Sequence, residues 1–191
     1  MTEDKPENKP AKPHNKRFLT GRIKVHPHGF GFVVPDDKSE DIHISSQSRG
    51  AAMDSDRVEV EWWVGARGLE GRVNRVLERG RGKITGQILG AGKTVRFEAD
   101  DPRISGTVIL AGGARGALPG QSVVAQIARY PDGPEGVMEV TVLKVLGDPD
   151  DPATEIEKIL AVADIEETFP EEVARIAEHV AKEVQPAERQ D

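Results

Sequence analysis

The stretch HGFGFVV, from His28 to Val34, places Phe30 and Phe32 two positions apart with a glycine before each, in a chain that has only five phenylalanines, two tryptophans and one tyrosine. Flat rings set side by side can stack on nucleobases, an interaction worth about 1–3 kcal/mol per base. In a strand both rings point the same way, while Gly29 and Gly31 leave the opposite side bare. Two arrangements satisfy this spacing. Either the rings fill a core and Val33 faces water, or Val33 is core and the rings form a platform outside. Further along, Arg67, Arg72, Arg75, Arg79, Arg81 and Lys83 are spaced so that Arg72, Arg75, Arg79 and Arg81 could form a phosphate-facing strip, or else a solvated edge that discourages strand pairing.

Other residue sets point away from catalysis. Asp148, Asp150 and Asp151 are close enough to hold a Mg²⁺ ion, but in GDPDDP the interleaved prolines suit a turn. GAGK, at Gly90–Lys93, lacks the spacing of a phosphate-binding loop and is expected to be a hairpin turn. There is no cysteine, so disulfides, thiolate metal sites and thiol nucleophiles are excluded. No apolar run reaches the ~20 residues that span a bilayer, and the expectation is a cytoplasmic protein without a membrane partner. The net charge of −7 looks hostile to a polyanion, yet the acidity is concentrated after Leu146, whereas up to Lys83 basic residues slightly outnumber acidic ones.

The elements that must position these groups read mostly as short strands between turns. LTGRIKVH, FGFVV, DIHIS, DRVEVEWWV and LEGRVNRVLER form one series, and GKITGQIL through EGVMEVTVLKVLG form a second. Five short strands without an intervening helical pattern fit a small closed barrel of the OB type. The expected fold is therefore all-β with a short α-helical C-terminal segment, built as two tandem five-stranded barrels. Residues 1–17 are expected to be a disordered basic, proline-rich arm carrying Lys5, Lys9, Lys12, Lys16 and Arg17; 18–81 the first barrel; 82–147 the second; and 148–191 an acidic helical connector. In that connector Ile156, Ile159 and Leu160 recur at helical spacing, as do Val173, Ile176, Ala177 and Val180 after Pro170, and each stripe needs a surface to cover it. Trp62 and Trp63 are adjacent, so one faces in and the other out, with burial or loop packing the expected fate of both. Phe97 and Tyr130 are the second barrel's only rings, and its expected role is structural, or as one wall of a ligand channel.

HGFGFVV resembles the first ribonucleoprotein motif of cold-shock domains, and DIHIS the second. More widely, GFGFVVPDD, EDIHIS, AAMDSDRVEVE, GLEGRVNRVLER and ITGQ resemble the first cold-shock domain of bacterial ribonuclease R and ribonuclease II. LPGQSVVAQIARYP and VLGDPDDP followed by IEETFPEEV continue the likeness through a second domain and connector, roughly over residues 20–191. The resemblance implies the platform arrangement and a single-stranded RNA partner. Phe30 and Phe32 would stack on bases, His43 takes an aromatic position of the second motif, His26 and His28 flank the same face, and Lys24 matches a basic position. With Arg72 and Arg75 these form the expected RNA-binding set. The chain departs from the pattern at Val25, where a stacking tryptophan is usual, at Ser45 and Ser46, and at MDSD, where ribonuclease R usually has a glycine before the aspartate. Weak binding is therefore expected. In this family hydrolysis occurs in a separate Mg²⁺-dependent domain, so the chain itself is expected to need no cofactor, to cleave nothing, and to meet that domain or another protein through its C-terminal helices. The competing expectation is an interaction protein whose acidic tail docks on a partner and whose barrel no longer binds RNA.

Overall fold

The computed structural model describes residues 17–163. The strands are β1 (Arg17–Val25), β2 (Gly31–Pro35), β3 (Ile42–Ile44), β4 (Arg57–Gly65), β5 (Gly68–Glu78), β6 (Lys83–Leu89), β7 (Arg96–Ala99), β8 (Val108–Leu110), β9 (Ser122–Arg129) and β10 (Met138–Gly147), followed by helix α1 (Pro152–Val162). The first five close into a barrel in the order β1-β2-β3-β5-β4. Period-two alternation drives the closure: Ile23, Val33 and Ile42 stand opposite one another across three strands and are fully buried, as are Val58 and Val60 on β4.

The second series repeats nearly the same pairing. β6 joins β7 and β9 antiparallel, while β10 joins β9 antiparallel and β8 parallel, matching the roles of β1 to β5 one for one. One ladder is missing. β7 and β8 lie near each other without a hydrogen-bonded register, so the sheet ends at these two strands and the expected second closed barrel is instead an open five-stranded sheet. The connection between them is engaged elsewhere. Asp101 and Arg103 reach the first unit, and Ser105 Oγ donates to the Pro134 carbonyl at 2.9 Å.

MDSD, at Met53–Asp56, joins the two units. Met53 is buried within the core of the second. The Asp56 carboxylate, fully buried, accepts from the Met53 N–H (2.8 Å), the Gly80 N–H (2.8 Å) and Arg79 Nη1 (2.9 Å). Gly80 has to be glycine, because a Cβ there would run into the Ser55 carbonyl. Asp54 accepts from the Val25 N–H through Oδ1 (2.9 Å), and from Arg81 (2.8 Å) and Arg103 (2.7 Å) through Oδ2. Asp101 closes the set, paired with Arg81 at 2.6 Å and gripped by two nitrogens of Arg103 at 2.7 and 2.8 Å. Ser55 sits at a φ of 70°, in the left-handed region. The glycine that the resemblance leads one to expect here would adopt that backbone freely.

α1 starts where DPDDP predicts a turn. Asp148 Oδ1 accepts from the Asp150 N–H (2.9 Å), and Asp151 caps the helix by accepting from the Ala153 N–H (2.9 Å), with Pro152 in the first turn. Its roll differs from expectation. Thr154 and Lys158 are the buried residues, while Ile156 and Ile159 are 60% and 68% exposed. Ionic contacts set this orientation: Lys158 Nζ reaches Glu155 (2.7 Å) and Asp100 (3.4 Å), and Lys144 pairs with Glu157 (2.7 Å). The expected second helix and the lysines of the N-terminal arm lie outside the described residues.

Two measurements check the joint. Asp56→Ala leaves two backbone amides and a guanidinium without their acceptor, and urea denaturation should show a loss of about 3–5 kcal/mol. Burial works to raise the Asp101 carboxyl, but the hydrogen bonds from Arg103 and Arg81 outweigh it and hold it below its ordinary 3.8. A carboxyl depressed in the folded state contributes fully above its unfolded value and loses that contribution as pH falls through the folded one. Acid titration should therefore show the wild type losing part of its stability below about pH 4, with Asp101→Asn losing less over the same window.

Candidate nucleic-acid interface

β1 ends at Val25, whose N–H is held by Asp54, and the chain turns back at once. The His26 N–H donates to the Phe30 carbonyl and the Gly29 N–H to the His26 carbonyl, both at 2.8 Å, with Gly29 at a φ of 90°. The His28 N–H donates to His26 Nδ1 at 3.2 Å. This turn lays the His26 ring on Phe30, with centroids 4.5 Å apart and planes within 15°. Phe30 stands 5.9 Å from Phe32, edge to face, and 5.9 Å from His43, while Phe32 and His43 are 5.4 Å apart. His28 meets His26 at 4.8 Å. Five rings thus form one continuous surface.

That surface is outside the barrel. Gly31 and Val33 are buried on either side of Phe32, which is itself 41% exposed, and Phe30 is half-buried. Val33 is core, which decides between the two arrangements that the spacing allows. The same alternation gives an outward row across the barrel, with Lys24 on β1 opposite Phe32 on β2, then His43 on β3, Glu70 on β5 and Trp63 on β4. Lys24 is exposed at the end of this row. Val25 points inward and is buried, so nothing replaces the missing tryptophan there. Ser45 Oγ donates to Ser48 Oγ (2.9 Å) in the turn after β3.

The arginines do not form an open strip. Arg72 pairs with Glu61 (2.8 Å) and Arg75 with Glu59 (3.1 Å) across the β4–β5 ladder, both remaining well exposed. Asn74 and Arg75 together hold the Glu59 carboxyl below its usual range. Arg79 and Arg81 belong to the joint, with the Arg79 guanidinium also 4.1 Å from the centre of the Tyr130 ring. Arg67 is exposed in the β4–β5 hairpin. The arginine spacing concealed this, because a partner on the neighbouring strand is invisible until the register is known. Trp63 is the ring that sequence reasoning left unassigned. Alternation from Val58 and Val60 already puts Trp62 inward, where it packs against the core with Arg17 over its ring at 5.2 Å, and Trp63 outward. Its place beside Glu70 follows only from strand pairing.

In the second unit, Phe97 is buried in the core and Tyr130 donates to the Arg81 carbonyl at 2.9 Å, so both rings are structural. GAGK lies in the connection from β6 to β7, which contains a single short 3₁₀ turn over Gly92–Thr94. Among the described residues no three His, Cys, Asp or Glu converge as a metal-holding group, and no helix is long and apolar enough to cross a membrane. A groove of about 890 Å³ runs from His26 and Pro27, past Arg81 and Arg103, to Lys158 and Ile159.

Comparison with known proteins gives two family matches: the ribonuclease B OB domain over residues 21–76 and the cold shock domain over residues 97–170. Ribonuclease R of Thermotoga maritima is 38% identical over 169 residues, which cover 86% of this chain and 24% of that protein. The chain spans about a quarter of that relative's length. Among solved structures, Mycoplasma genitalium RNase R in complex with ribose methylated single-stranded RNA matches with a TM-score of 0.73 at 23% identity, over 86% of this chain and 27% of that one. Yeast Ssd1, a pseudonuclease, matches with a TM-score of 0.61 at 20% identity, over 76% of this chain and 25% of that one. At these identities the structural likenesses speak for the fold.

The outward placement of Phe32 has a direct consequence for stability. Phe32→Ala should cost less than about 1 kcal/mol in a thermal or urea melt, whereas Val33→Ala, one residue along, should cost about 2 kcal/mol.

Proposed function

We propose that this chain, which matches the ribonuclease B OB domain and a cold shock domain and is 38% identical to a quarter of a ribonuclease R, collects single-stranded RNA on the first barrel and guides it toward the catalytic domain of such an enzyme. The contiguous surface of His26, His28, Phe30, Phe32 and His43 carries this reading. Bases lie flat on the rings, Lys24 meets a phosphate at one end of the row, and Arg72 and Arg75 contribute what charge their partners leave over. Because the groove begins at His26, a strand leaving the platform enters it and passes between the two units. In this scheme residues 18–81 hold the RNA, 82–147 brace the first barrel and wall the groove, 148–191 lead onward, and 1–17 trail along the backbone. The protein works in the cytoplasm. Hydrolysis is assigned to Mg²⁺ held outside these 191 residues, since Asp148 and Asp151 already serve a turn and a helix cap.

A second reading is favoured by one observation. Ile156, Ile159 and Val162 present an exposed apolar face on α1, which suits an interaction protein that docks a partner there, whether the catalytic domain or another chain, and that has lost its RNA.

Anisotropy titration of a labelled single-stranded RNA at two salt concentrations separates the two. Under the first reading the wild type binds, the double variant Phe30→Ala, Phe32→Ala loses at least about tenfold in affinity, and salt weakens binding only mildly because few cations are unpaired. Failure of the wild type and the variant alike to bind would support the second. Mg²⁺-dependent loss of the labelled RNA would contradict the placement of hydrolysis elsewhere.

A further inference from the structure

The outward row contains one group that stacking does not explain. Glu70 is half-buried on β5, directly opposite His43 on one side and Trp63 on the other. Its neighbours Leu69 and Gly71 face the barrel interior, so its side chain is on the same face as the rings. The carboxyl end leans over Gly65, where a Cβ would collide with Cδ and Oε1 of Glu70, so the bare glycine makes the room it occupies. Glu59 and Glu61, which share this face on β4, are paired with Arg75 and Arg72. Glu70 has no hydrogen bond or ion pair among the described residues.

An unpaired carboxylate on a surface that receives RNA works against phosphates. It is matched to a donor-bearing base edge. A carboxylate has two acceptor oxygens and no donor. Guanine offers N1–H and an N2 amino hydrogen side by side, which satisfies both oxygens at once. Adenine and cytosine offer an amino group next to a ring nitrogen acceptor. Uracil offers one N–H between two carbonyl oxygens that would face the carboxylate. We propose that Glu70 is the base-reading residue of the platform, selecting a guanine edge and rejecting uracil for a base stacked on Trp63 beside it. This rests on the RNA-binding reading above. It adds Trp63 as a further stacking ring, separated from His43 by the width of one strand.

The test uses the whole chain and two labelled RNA octamers, octauridine and the same octamer with one central guanosine, plus a third with inosine, which lacks the N2 amino group. The wild type should bind the guanosine octamer about tenfold more tightly than octauridine, within the range measured for a good bidentate base contact, with inosine between. Glu70→Gln keeps the shape over Gly65, so its melting temperature should match the wild type while the preference collapses to within about twofold. Trp63→Phe, which keeps a ring, should retain the preference. Equal wild-type affinity for all three octamers, or a preference that survives Glu70→Gln, overturns the role of Glu70 and leaves the RNA reading standing. Failure of every octamer to bind overturns both.

Discussion

Two carboxylates, Asp56 fully buried and Asp54 largely so, organise the rest. Sequestering such charges costs several kcal/mol unless donors surround them, and here each accepts three or more. The donors come from four places: the MDSD segment itself, the end of β1, the exit of β5, and the loop after β7. Asp54 alone fixes the Val25 N–H, immediately before the turn that lays His26 on Phe30, and also holds Arg103 of the second unit. The joint and the ring surface therefore share one strand end. With Met53 seated in the neighbouring core, polar and apolar contacts fix the same junction.

The second unit shows what that junction demands. Its strands follow the pairing of the first, but the segment that would bring β7 against β8 is drawn to Asp54, and the sheet stays open. It has no outward rings, since Phe97 and Tyr130 are spent on packing and on the Arg81 carbonyl. A repeat of one architecture has thus been divided into a unit that displays rings outside its barrel and a unit whose rings are spent on packing.

Much of this was legible in the residues. The strand-like segments between turns covered the observed strands, although β6 and β7 fall within one stretch, and the Phe30–Gly31–Phe32–Val33 pattern narrowed the rings to two faces, which the buried Val33 then decided. What escaped was whatever depends on partners distant in sequence. Arg79 and Arg81 read as phosphate ligands because Asp56, Asp54 and Asp101 lie 20 or more residues away. The isoleucine stripe of α1 read as a buried face, but Lys158, with a carboxylate on each side, rolled the helix the other way. Hydrophobic periodicity predicts burial only where no ionic contact competes for the same side of the helix.

The arginine pairings also bear on how quickly a ligand arrives. Long-range steering accelerates association when a cleft carries unbalanced charge of the opposite sign. Here the exposed guanidiniums of Arg72 and Arg75 are already matched by carboxylates on the adjacent strand. Under the RNA-binding reading proposed above, an approaching polyanion would feel little pull until it touched the surface, so encounter would proceed at the ordinary diffusive pace, and how long a strand stayed would be governed by how many of its bases found a ring.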